Sequence, residues 1–111
     1  GEDNNALEFN KRGGKGCISV TANVAAKLCS EFQKASLSVE NSDLQNRAKE
    51  INELLTPLHK ALFIESNPSP VKYATSLLKL SSNDSVRLPL VTVRESTKIS
   101  IKNALKAAKL L

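Results

Sequence analysis

The chain has 111 residues, 41% of them hydrophobic and 24% charged, with a net charge of +5. That length supports one domain or less, and no run approaches the roughly 18 consecutive apolar residues of a membrane span. The polar start Gly1-Glu2-Asp3-Asn4-Asn5 lacks the apolar core of a signal peptide. Its basic balance raises nucleic acid as a partner, yet only Phe9, Phe32, Phe63 and Tyr73 are aromatic, too few to form a stacking platform.

In chain order, residues 3–12 read as a short helix with Asp3 as N-cap and Gly13-Gly14 as its end. Residues 16–20 read as the one convincing strand. Asn23 then caps a helix over about 24–37, with Val24, Leu28, Phe32 and Ala35 as its apolar stripe. Ser42-Asp43-Leu44-Gln45 reads as a capping box opening the longest helix, about 43–63. Leu44, Ala48, Ile51, Leu54, Leu55, Leu58 and Leu62 make its apolar face, and Pro57 removes one ladder hydrogen bond within it. Pro70 opens a further helix to about 80. Residues 86–91, interrupted by Pro89, read as an irregular extended crossing. Thr92-Val93-Arg94-Glu95 reads as a second capping box for a last helix to about 109. On that helix Lys98, Lys102, Lys106 and Lys109 form a wet face opposite Ile101, Leu105 and Ala108.

A mainly α chain with one strand is incomplete by its own logic, because a lone strand has no ladder partner. The absence of methionine, position 1 included, adds to the expectation of a longer parent. Cys17 and Cys29 lack any Cys-x-x-Cys or Cys/His cluster and read as reduced, buried thiols, which favours a cytoplasmic setting. No metal site is expected. His59, the single histidine, sits beside an apolar helix face with no Ser, Asp or Cys partner in view, and reads as structural. Gly-Gly-Lys-Gly precedes its strand, whereas a phosphate loop follows one. Lys15, Lys60 and Lys72 read as surface ammonium groups rather than Schiff-base lysines in a dry pocket.

Four blocks carry a resemblance: Gly13-Gly14-Lys15-Gly16-Cys17-Ile18-Ser19-Val20-Thr21-Ala22-Asn23, Pro57-Leu58-His59-Lys60-Ala61-Leu62-Phe63, Asn67-Pro68-Ser69-Pro70-Val71-Lys72 and Arg87-Leu88-Pro89-Leu90. In this order they resemble the dihydrodipicolinate synthase family of pyruvate-dependent aldolases. The resemblance covers nearly the whole chain. It implies the C-terminal portion of such an enzyme. Residues 1–40 would be the last part of a (β/α)8 TIM barrel and residues 41–111 its C-terminal helical subdomain. The implied activity is a lyase that condenses pyruvate with aspartate semialdehyde through a lysine imine, towards lysine and diaminopimelate. No cofactor is implied beyond that imine, and the implied assembly is a cytoplasmic homotetramer without nucleic acid or membrane partners.

Two site residues carry over. Ile18 matches a residue whose main chain lies against pyruvate, and Gly1 matches a glycine lining the same pocket. No catalytic residue falls within the chain, since the imine lysine and catalytic tyrosine match positions upstream of Gly1. Three departures from the pattern are a longer Ser38–Asp43 junction, Ser69 for an apolar residue, and Cys17 for Val. An N-acetylneuraminate lyase-like aldolase and a non-catalytic helical interaction module stand as alternatives.

Overall fold

The computed structural model describes residues 1–111. Five α-helices follow one another: α1 (Ala6–Lys11), α2 (Ala26–Leu37), α3 (Ser42–Ala61), α4 (Ser69–Leu77) and α5 (Glu95–Ala107). Single 3-10 turns at Asp3–Asn5 and Thr21–Asn23 precede α1 and α2. There is no strand, which corrects the one expected over Gly16–Val20. Within the 111 residues the segment has no second strand to bond with. Within Lys15–Ser19 the only backbone–backbone bond runs from the Ile18 N–H to the Gly1 carbonyl, at 3.2 Å.

The helices form because each carries an apolar stripe at helical spacing, and α3 is the spine. Its Ile51, Leu55 and Leu58, with Leu62 just past its end, are essentially inaccessible to solvent. They meet Phe32 and Ala35 of α2 on one side and Ile101 and Leu105 of α5 on the other, all within one buried core. That core runs across residue 40 without interruption. Truncating any of these large side chains would leave a cavity costing about 2–5 kcal/mol. The helix α3 continues through Pro57, and α5 buries Ile101, Leu105 and Ala108 while Lys102, Lys106 and Lys109 stay exposed. Lys98 is the exception on that face: it pairs with Glu95 at 3.0 Å and lies 5.6 Å from the Tyr73 ring centroid.

Helix starts depart from the expected capping. Asp3 does not cap α1; its carboxylate is buried and turned towards Ser19–Thr21. Asn23 does not cap α2, which begins only at Ala26; its amide instead donates to the Val20 carbonyl at 2.9 Å. For α3 the cap is Asn41, whose side chain accepts from the Leu44 N–H at 3.1 Å. Gln45 is thereby free to reach back, and its amide donates to the carbonyls of Ala35, Ser36 and Ser38. The Ala35 and Ser38 carbonyls also accept from the backbone N–H groups of Ser38 and Asn41, so the Ser36 carbonyl is the one that Gln45 alone serves at this helix end. Thr92 does not cap α5 either. The Arg94 N–H there donates to the Glu65 carboxylate at 3.0 Å, a partner 29 residues away.

Three helices end in one hydrogen-bond pattern. After α1, Gly14 N–H donates to the Phe9 carbonyl and Gly13 N–H to Asn10. After α4, Leu80 donates to Thr75 and Lys79 to Ser76; after α5, Leu110 donates to Leu105 and Lys109 to Lys106. This is the Schellman arrangement, whose pivot residue takes the left-handed conformation. Gly13 (φ +96°) fills that pivot as the sequence implies, whereas Lys79 and Lys109 (both φ +58°) fill the other two.

Candidate functional site

The turn between α1 and α2 is built around Asp3. Its Oδ1 accepts from the Ser19 hydroxyl at 2.5 Å, and its Oδ2 accepts from the backbone N–H groups of Val20 (2.9 Å) and Thr21 (3.2 Å). The Cys17 thiol is the most distant of its donors, at 3.9 Å. Ser19 Oγ accepts in turn from the Ala22 N–H at 2.9 Å. A buried carboxylate is tolerated because several donors face it, and here those donors are the residues that follow Ile18. Asp3 therefore fixes the path of the backbone as it leaves Ile18.

Thr21 carries the connection onward. Its hydroxyl, buried in the interior, lies 2.7 Å from Nδ1 of His59 on α3. The partner is thus a threonine rather than a serine, aspartate or cysteine, and His59 is buried. Burial holds the His59 pKa below its ordinary value, and the negative charge of Asp3 opposes that shift. The imidazole thus works as a neutral hydrogen-bonding group.

The two residues singled out by resemblance are brought together. Gly1 and Ile18 share the backbone hydrogen bond noted above, while the Ile18 side chain is 92% exposed. Beside Ile18 opens a groove of about 340 Å³, bordered by Ser19, Asn23, Asn67 and Lys72. On the inner side of the turn, a second cavity of about 270 Å³ is lined by Asp3, Cys17, Cys29, Gln33 and His59 among others.

Both cysteines are free thiols, Cys29 buried and Cys17 only half-buried. Burial, then the Asp3 charge, pushes the Cys29 pKa up to about 11 and raises that of Cys17. Neither is a poised nucleophile. Of the three lysines set aside in the sequence, Lys15 and Lys60 are exposed and Lys72 is half-buried beside the Ile18 groove. Ser69, in place of an apolar residue, is buried, and its hydroxyl has no hydrogen-bond partner.

Asp3, Ser19 and Thr21 are the residues that sequence reasoning missed. An aspartate two residues into a chain, just ahead of a helix, reads as a cap. Nothing local shows that it serves a turn 16–18 residues onward.

Comparison with known proteins agrees with this architecture. The family described as "Dihydrodipicolinate synthetase family" matches residues 1–108. A 4-hydroxy-tetrahydrodipicolinate synthase of Pelagibacter ubique (strain HTCC1062) is 59% identical over 111 residues, covering all of this chain and 37% of the relative. One from Chelativorans sp. (strain BNC1) is 55% identical, covering 36% of the relative. Among solved structures, the dihydrodipicolinate synthase of Thermotoga maritima superposes with a TM-score of 0.90 at 39% identity, covering the whole chain and 36% of that protein. A monomeric dihydrodipicolinate synthase variant gives the same score and identity, with 35% of it covered. The chain spans a little over a third of the length of the relatives it matches. Sequence, fold and matched span agree: the chain belongs to the dihydrodipicolinate synthetase family.

Proposed function

We propose that the chain is part of a 4-hydroxy-tetrahydrodipicolinate synthase, a lyase that condenses pyruvate with aspartate semialdehyde through a lysine imine. The observation that carries this reading is the hydrogen bond between Ile18 N–H and the Gly1 carbonyl. It joins the two positions that the resemblance assigns to one pyruvate pocket. The relatives' names support this reading over an N-acetylneuraminate lyase-like aldolase or a stand-alone interaction module.

In this reading residues 1–40 belong to the end of a (β/α)8 barrel and residues 41–111 to the C-terminal helical subdomain. The order of the sequence blocks supports that placement. The imine lysine and catalytic tyrosine lie outside the 111 residues, which alone are inactive. The complete enzyme needs no cofactor beyond its own imine and works as a cytoplasmic homotetramer.

This chain's share of the chemistry is positional. Ile18 presents backbone to the substrate, and Asp3 fixes the turn that carries it. Neither moves a proton in the reaction.

Treating the intact enzyme with pyruvate and borohydride tests the reading. The expected result is one reduced pyruvate adduct by intact mass, on a lysine other than Lys15, Lys60 or Lys72. An enzyme left unmodified at saturating pyruvate overturns it.

A further inference from the structure

Two cations, Lys72 beside Ile18 and Arg87 one groove further away, have no partner within the 111 residues. Lys72, one turn into α4, is half-buried, and Arg87 lies exposed in the crossing segment. Neither takes part in any of the five ion pairs, and neither side chain donates a hydrogen bond within the protein. Glu65 is taken by Arg94, and the charge of Asp84, the acid nearest Arg87 in sequence, acts on Lys98.

Their placement is the second observation. Lys72 borders two grooves at once: the one beside Ile18, and a neighbouring one of about 490 Å³ that Arg87 also lines. No aspartate or glutamate lines either groove. The path from Arg87 past Lys72 to Ile18 is therefore walled by one sign of charge. Clefts of that kind concentrate an oppositely charged ligand and raise its rate of arrival.

We propose that Lys72 and Arg87 form a cationic approach groove that draws a small organic carboxylate towards Ile18. Resting on the aldolase reading, it adds a role for these two side chains in substrate capture. Both act on the substrate's charge before reaction and leave the chemical step alone.

The test uses the intact enzyme carrying Lys72→Gln and Arg87→Gln together, with imine formation trapped by cyanoborohydride. The probes are pyruvate and its uncharged methyl ester. At low salt the second-order rate constant for pyruvate should fall about tenfold, the lower end of what electrostatic steering supplies. At about 1 M salt, where the screening length shrinks to roughly 3 Å, variant and unaltered enzyme should converge. The methyl ester should react equally with both proteins, the rate at saturating pyruvate should not change, and Lys72→Arg should retain capture.

An unchanged rate constant with pyruvate at low salt overturns the proposal. So does an equal loss with the methyl ester, which would mean that the substitutions damage the fold. Failure of the unaltered enzyme to form any adduct overturns the aldolase reading itself, an outcome separate from either.

Discussion

The hydroxyl of Thr21 and the Nδ1 of His59 are 2.7 Å apart in the protein interior, although 38 residues separate them in the chain. Through this contact, the turn that carries Ile18 is tied to the spine helix α3. Thr21→Val keeps the shape and leaves the imidazole nitrogen without its partner. An orphaned buried polar group costs about 1–3 kcal/mol, so urea unfolding should show a loss of that size.

The same histidine gives stability a pH dependence of known sign. Its folded pKa lies below its ordinary value of 6.5 because it is buried. The unfolded chain therefore takes up a proton more readily than the folded one. The contribution of His59 is fully present above about pH 6.5 and is lost as pH falls from there through the folded pKa. Unfolding free energy measured from pH 7.5 downward should decline over that interval, and His59→Asn should flatten the decline.

Asp3→Asn replaces a carboxylate with a group that has only one accepting oxygen. Ser19, Val20 and Thr21 all donate to this side chain, so at least one buried donor loses its partner. A destabilisation of about 1–3 kcal/mol is expected. Faster amide hydrogen exchange should be confined to the Ser19–Ala22 turn, and a uniform increase across α3 and α5 would count against the local role.

Gly14 approaches its neighbour too closely for any side chain. A Cβ there would sit 2.2 Å from Phe9 Cδ1 and 2.6 Å from the Phe9 carbonyl oxygen. The ring can swing aside, but the carbonyl is held by the helix ending. Gly14→Ala should cost about 1–3 kcal/mol, the range for forced overpacking, with a matching drop in the thermal midpoint.

At Lys79 and Lys109 the prediction has the opposite sign. Both hold φ near +58°, where a Cβ costs roughly 1–2 kcal/mol relative to glycine. Lys79→Gly and Lys109→Gly should each raise stability by up to about 1 kcal/mol, read as a higher urea midpoint with an unchanged slope.

What the sequence made legible was periodic and local. The stripe Ala48, Ile51, Leu55, Leu58 and Leu62 located α3 and the core, because burial every three or four residues leaves a trace in the chain itself, whereas Leu44, read on the same face, is exposed and Leu54 only half-buried. Gly13 announced a helix end because glycine alone adopts that geometry without strain. The caps at the other helix ends were not legible. Asn41 displaced the apparent Ser42 box, Glu65 serves α5 from another segment, and the lysines at 79 and 109 give no local sign of their conformation. The strand expected at Gly16–Val20 is not formed for a related reason: a strand is defined by its neighbours, and the 111 residues hold none to pair with it. At the candidate site, Ile18 and Gly1 were assigned by resemblance alone. Asp3, Ser19 and Thr21 emerged only from the three-dimensional contact, and the His59 partner came with them.

One carboxamide, that of Gln45, gathers three carbonyls at the end of α2. The bend between α2 and α3 is thus riveted from the inside, and the Asn41 N–H, donating to the Ser38 carbonyl at 3.1 Å, closes the turn across Val39 and Glu40. Val39 and Glu40 stand exposed at its outer lip. A fluorophore attached to either side chain would ride on the surface and leave that backbone turn intact, which makes this the natural handle by which to tag the molecule.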